Sequence, residues 1–336
     1  MTPERKKKLA RVIATWVVTG IMASVFVLDI ITVALANKYV NSLTMRPYTH
    51  QKSTTADRIH FLNTANSDCI IIESNGRFAL VDSGEGNNNP RRKTEYKGYE
   101  AEVLDYIHKV CGDENGRVYL DFILATHVHY DHAGNFESII KSDSITIGKA
   151  FIKDYTHNNL TETESEAWGN EQIYNNIISA LKDKSVPVIS HLPTEPFAFG
   201  DFSLQLFNTV TPDGMEGLGD NANSIGVKLQ KGEKSAFLGA DFTNDGGLEN
   251  IYAQQIGDVD LLKIGHHGYF GSSSPEFLKT LNPEITICTN YIGKIYPNVK
   301  WNLTMVAKAP ILSTEHRDGI VAEFTDNEIL IYENAM

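Results

Sequence analysis

Apolar residues recur along this chain in three spacings. Positions 12–36 are 25 residues with a single charge, Asp29, long enough for a helix to span a bilayer with some tilt. Further on, apolar runs cover 58–62, 69–74, 77–81, 119–125, 149–152, 188–190, 202–207, 225–229, 236–240, 258–264 and 285–289. Their length and their alternating or continuous apolar pattern predict strands. The pair Asn75-Gly76 between two of them predicts a hairpin turn. The third spacing is helical: Val103, Leu104, Ile107 and Val110, then 136–141, then Ile173, Ile177, Ile178 and Leu181, each presenting one apolar face. Strands alternating with helices place the body in the α/β class.

Charge sharpens the N-terminal picture. Arg5, Lys6, Lys7 and Lys8 precede the long apolar stretch, which favours a cytoplasmic N-terminus. Ala34-Leu35-Ala36 resembles a cleavage site, but the apolar stretch is too long for a signal-peptide core. The expectation is an uncleaved signal anchor: a single-pass protein of the cell membrane, held through residues 12–36, with its body outside the cytoplasm. Residues 1–37 then form the cytoplasmic tip and anchor, 38–57 a polar linker, and 58–333 the main domain. The net charge is −12 although the N-terminal segment is basic, so the body is strongly acidic. That repels polyanions at long range and weighs against a nucleic-acid substrate without excluding one, because bound metal restores positive potential locally. Cys69, Cys111 and Cys288, odd in number and widely spaced, build no disulfide framework. No protein partner can be deduced.

The chemistry concentrates in Thr126-His127-Val128-His129-Tyr130-Asp131-His132, just past a buried strand. Extended backbone sends His127 and His129 to one side, and a tight turn folds Asp131 and His132 back towards them. Imidazole nitrogens and carboxylate oxygens suit zinc and similar divalent ions. Two pairs of ligands this close suggest two metals in one pocket. The plainer alternative, an exposed histidine-rich turn, does not account for the strand in front of it. A polar, glycine-rich loop over 84–90 reads as mobile and close to the site, and 241–246 faintly resembles the start of a calcium loop that lacks its closing glutamate.

His127, His129, Asp131 and His132 fill the H-x-H-x-D-H signature, and the chain here resembles the metallo-β-lactamase superfamily. The resemblance covers about 58–333 and implies an αββα sandwich of two mixed sheets with helices outside, preceded here by the transmembrane helix. It also implies two divalent metal ions, zinc or alternatively manganese. Asp82, in Asp82-Ser83-Gly84, corresponds to the carboxylate that supports the ligand loop without binding metal. Asp241, after the strand at 236–240, corresponds to the carboxylate that bridges both metals. His266-His267-Gly268 followed by Ser272-Ser273-Ser274 resembles the subgroup formed by the metallo-β-lactamase-like domain of competence DNA-uptake channel proteins and by choline-phosphate esterases. By that resemblance His266 is expected to bind the second metal, with His267 beside the substrate and, with Asp131, catalytic; the reverse assignment of the two histidines stays open.

Asn221-Ala222-Asn223-Ser224 matches the same subgroup and stands where most members carry a third first-site histidine. That leaves the first metal to be completed by water or substrate, or weakly held. Asn223 and Ser273 are the expected substrate-binding residues. The implied function is a membrane-anchored phosphodiesterase using metal-activated hydroxide on an envelope component or a nucleic acid. A hydrolase of a carbon-centred ester, lactone or lactam is the second reading, and a catalytically silent binding module the third.

Overall fold

The structure, a computed structural model, describes residues 2–89, 97–244 and 247–336. Pro90, the end of the loop read over 84–90, and residues 245–246 of the calcium-loop-like segment lie outside them. The strands in chain order are β1 (Met45–Pro47), β2 (Asp57–Phe61), β3 (Cys69–Ser74), β4 (Arg77–Ser83), β5 (Val118–Leu120), β6 (Phe122–Leu124), β7 (Ile145–Ile147), β8 (Ala150–Phe151) and β9 (Val188–Ile189). They continue as β10 (Phe197–Phe199), β11 (Phe202–Phe207), β12 (Gly226–Lys231), β13 (Lys234–Leu238), β14 (Leu261–Lys263), β15 (Ile285–Cys288), β16 (Ile311–Ser313), β17 (Ile320–Phe324) and β18 (Ile329–Glu333). The helices used below are α1 (Pro3–Val40), α2 (Glu100–Cys111), α3 (Tyr130–Ala133), α4 (Phe136–Lys141), α5 (Asn170–Asp183), α6 (Leu248–Ile256), α7 (Pro275–Leu281) and α8 (Pro297–Trp301).

Among the described residues one sheet runs β1-β18-β17-β2-β3-β4-β6-β8-β9 and a second runs β10-β11-β12-β13-β14-β15-β16. The strand alternation explains why they stack. In β3, Ile70 and Ile72 point into the space between the sheets, where they meet Leu204, Val227, Leu229 and Leu238. Ile71 of the same strand points the other way, to Val103, Ile107, Ile139, Ile173 and Ile177 of α2, α4 and α5. The outer face of the second sheet, through Phe237 and Leu262, buries Leu248, Phe277, Leu278 and Val299 of α6, α7 and α8. Three apolar layers therefore separate four layers of structure, the αββα sandwich.

β4 and β6 are parallel, as are β13, β14 and β15. The chain leaves β4, β6, β13 and β14 at their C-terminal ends, and each exit carries residues of the histidine-aspartate cluster. Two sequence readings change. The apolar run 119–125 is not one strand: β5 pairs with β7 in a small separate sheet, while β6 joins the large one. The break falls at Asp121, whose carboxylate takes two bonds from Arg77, with Nη2 at 2.5 Å, and whose amide donates to Phe78 O at 2.8 Å. The segment read as a linker, 38–57, is also only partly free, since β1 adds in parallel to β18 as an edge strand.

α1 is a single helix of 38 residues, about 57 Å long at 1.5 Å per residue. Its apolar part, from Leu9 to Ile31, is exposed on its large side chains. Beyond that point Thr32, Ala36 and Val40 are buried; four-residue spacing puts them on one face, against α8 and β16. Asp29 pairs with Lys300 of α8, and Tyr39 OH donates to Thr304 O at 3.4 Å. The apolar helix therefore joins the body without a hinge at residue 37.

Candidate metal centre

Six of the sequence-predicted residues converge. His129 ends in extended backbone and caps α3, whose single turn brings Asp131 and His132 back beside His127. His127 Nε2 lies 3.1 Å from His129 Nδ1, and His132 Nε2 lies 3.1 Å from His267 Nε2. The Asp241 carboxylate sits among them: Oδ1 is 3.1 Å from His132 Nε2 and 3.5 Å from His267 Nε2, while Oδ2 is 3.8 Å from His127 Nε2. Asp131 Oδ2 approaches His267 Nε2 at 3.7 Å. All six side chains are buried.

Lone-pair-bearing ring nitrogens that face one another around a buried carboxylate are costly without something between them. Asp241 Oδ1 has no hydrogen-bond partner of good geometry among the described residues, despite the nearby His132 nitrogen. A cation answers both problems. Two groups of atoms lie close enough to hold one each, His127, His132 and Asp241 in the first and Asp131, His132 and His267 in the second, with His129 3.1 Å from His127. Burial and the neighbouring His132 and His129 push the His127 imidazole well below its ordinary pKa, into the neutral form that ligates. Burial opposes the charge on Asp241, but His132, His267 and His266 outweigh it and hold the carboxyl well below the usual range.

The outward nitrogens are held in turn, as metal-binding imidazoles require. His132 Nδ1 is 2.8 Å from Asp82 Oδ2, and Asp82 also accepts from Thr126 N and Oγ1, both at 2.8 Å. His129 Nε2 is 2.6 Å from Glu164 Oε1. Burial disfavours the Glu164 charge, yet bonds from His129 and the amides of Asp220 and Thr161 prevail and bring its carboxyl down to about 2. His267 Nδ1 meets Thr289 Oγ1 at 3.0 Å and Asp68 Oδ1 at 3.4 Å. Asp68 is neutralised by Lys263, an ion pair fully removed from solvent. Sequence reasoning missed Glu164, Asp68 and Lys263: none has a neighbour pattern that marks it, although Lys263, a lysine inside an otherwise apolar strand, was a visible signal.

Three expectations change. His267, not His266, occupies the ligand clusters. Both adopt left-handed backbone, φ 48° and 49°, so the chain reverses after β14 and turns the second histidine inward. His266 stays partly exposed, with Nε2 at 4.0 Å from Asp241 Oδ2 and 3.2 Å from Asn221 Nδ2. Asn223 is spent on its own loop: it donates to Asp220 Oδ1 at 2.8 Å and accepts from Asn159 and Thr211, both at 2.7 Å. Asn221 faces the cavity instead. Ser273 is buried, and its amide donates to Glu249 at 2.5 Å at the start of α7, so it braces that helix and does not line the cavity.

The cavity over the cluster has a volume of about 550 Å³ and is walled by Trp168, Tyr269, Lys97 and Lys294 as well as His129, Asp131, Asp241 and His266. A larger hollow of about 740 Å³ lies by Gly76, Arg77 and Tyr119, where β4 begins, and contains none of these histidines.

No protein-family model matches the chain. It is similar to ComE operon protein 3 of Bacillus subtilis (strain 168), 24% identical over 171 residues, which is 50% of this chain and 20% of that protein. It is also similar to Recombination protein 2 of Haemophilus influenzae, 21% identical over 242 residues, 71% of this chain and 25% of that protein. The chain therefore matches a quarter or less of these relatives' own length. Among solved structures, the metallo-β-lactamase fold protein YhfI from Bacillus subtilis aligns over 80% of this chain and 100% of its own, with a TM-score of 0.49 and 12% identity. The two stacked sheets with helices on both outer faces have the αββα layering that the motifs imply.

Asp68→Asn is expected to destabilise the protein by about 3–5 kcal/mol in chemical denaturation, because it strands the Lys263 charge; Asp68→Asn with Lys263→Met should recover most of the loss. His267→Ala should lower the metal bound per chain, measured by elemental analysis after zinc loading, whereas His266→Ala should leave it unchanged.

Proposed function

We propose that this protein is a membrane-anchored, metal-dependent phosphodiesterase acting outside the cytoplasm. One observation carries the reading: the buried Asp241 carboxylate is ringed by the Nε2 atoms of His127, His132 and His267. Divalent ions held there, zinc or manganese, lower the pKa of water to roughly 7 and polarise the group under attack.

The chain's own residues favour phosphorus over a carbon centre. Lys97 and Lys294 on the cavity wall, paired with Glu102 at 3.1 Å and Glu315 at 3.9 Å, would turn from these carboxylates to a phosphodiester anion. By the resemblance, Asn221, which faces the cavity, stands near where most members carry a third first-site histidine, so substrate or water would complete the first site. His266, partly exposed at the mouth and 3.2 Å from Asn221, would be the imidazole that contacts the departing oxygen. Trp168, whose ring lies 5.0 Å from that of His129, offers an apolar wall to the rest of the substrate. The acidic charge favours an envelope phosphodiester. The name of the Haemophilus relative, Recombination protein 2, keeps a nucleic-acid strand as the second substrate reading. Membrane anchoring rests on α1, whose apolar stretch is almost wholly exposed.

The full chain, purified in detergent and loaded with zinc or manganese, is expected to hydrolyse bis-nitrophenyl phosphate and to leave nitrocefin and a simple lactone intact. Chelation or His129→Ala should reduce the rate to background. Preferential turnover of nitrocefin or the lactone would contradict the phosphodiester reading, and no bound metal with no turnover would leave a binding module.

A further inference from the structure

α1 does more than tether the body. Its contacts orient the catalytic cavity. Asp29 meets Lys300, and ten residues further on Tyr39 meets Thr304. α8 and the turn after it therefore run alongside α1 in the same direction, away from the apolar part of the helix. The start of α8, at Tyr296 and Pro297, is the end that faces back towards that apolar part. Twenty residues of helix cover about 30 Å, the thickness of a hydrocarbon layer, so a span over 12–31 puts Asp29 and Lys300 at one membrane boundary.

Large aromatic side chains lie exposed at both ends of α8. Phe270 is 61% exposed, Tyr296 44% and Trp301 38%. The Phe270 and Tyr296 rings are neighbours at 6.3 Å where α8 begins, and Trp301 directly follows Lys300, the partner of Asp29. Exposed apolar surface of this kind beside an emerging apolar helix calls for a partner. Tryptophan and tyrosine are the residues enriched at membrane-water boundaries. We infer that the Phe270–Tyr296–Trp301 edge beds in the headgroup layer of the membrane that α1 spans, as a second contact between body and lipid. Tyr296 packs edge-on against Tyr269 at 5.8 Å, and Tyr269 lines the catalytic cavity. The bed therefore holds the cavity mouth next to the lipid surface, where phosphodiesters carried by membrane-attached molecules are presented.

The inference rests on α1 being a span, and the test separates the two. The native cysteines are buried, so Phe270→Cys or Trp301→Cys in the full chain can be labelled with a fluorophore. Thr54→Cys, beside the Asn75-Gly76 turn at the strand ends away from the site, serves as the control. The labelled chains are reconstituted in phosphatidylglycerol–phosphatidylcholine vesicles containing a lipid with a nitroxide at its headgroup. Quenching at 270 and 301 is expected to exceed that at 54 at least twofold. Equal quenching at the three positions, with the chain still retained after an alkaline carbonate wash, overturns the bed and keeps the span. Loss of the chain in the wash overturns both.

Discussion

A carboxylate taken out of water must be compensated, and the architecture around Asp241 exists to do that. Its two oxygens face three imidazole nitrogens contributed by segments 135 residues apart in the chain. Two of them are fixed from behind by acidic groups, His132 by Asp82 and His267 by Asp68, while His127 Nδ1 lies 3.1 Å from the Thr126 hydroxyl and Glu164 holds the adjacent His129. The result is a compact inner ring of ligands inside an outer ring of charges. Within the inner ring Asp241 Oδ1 has no hydrogen-bond partner among the described residues, and that marks it as a place for a cation.

The fold serves this arrangement by bringing several parallel strand ends to one edge. Strand exits also explain the strain: Asp82, Ala240, His266 and His267 all hold positive φ, as residues do when the surrounding structure pins them for function. The buried Lys263–Asp68 pair ties the second sheet to the turn before β3, in the first, and so keeps the two halves of the ligand set in register. α1 passes into the body without a break, so its long apolar stretch is held in fixed relation to the cavity.

Much of this was legible in the chain. The continuous apolar run Cys69-Ile70-Ile71-Ile72 announces a strand covered on both faces, and the two-residue spacing of His127 and His129 places both on one side. What stayed hidden depends on distant partners or on backbone conformation. Glu164 is one of three glutamates in 161–168 and Asp68 a lone acid in a polar turn, and nothing nearby reveals the histidine each supports. The order of His266 and His267 is decided by two left-handed residues, which sequence periodicity does not register. Asn221 and Asn223 are exchanged in role because Asp220–Asn223 forms a 3₁₀ turn; its three-residue period puts Asp220 and Asn223 together and leaves Asn221 on the cavity side. The break at Asp121 was masked by apolar residues on both sides of it.

The central claim is that Asp241 lies between two cations. Anomalous diffraction from crystals of the full chain grown in zinc or manganese, collected at the edge of the metal used, tests it directly. Two peaks about 4 Å apart, one on each side of the Asp241 carboxylate, are the expected result. A well-occupied peak away from the residues at 127–132, or none at Asp241, would contradict the account.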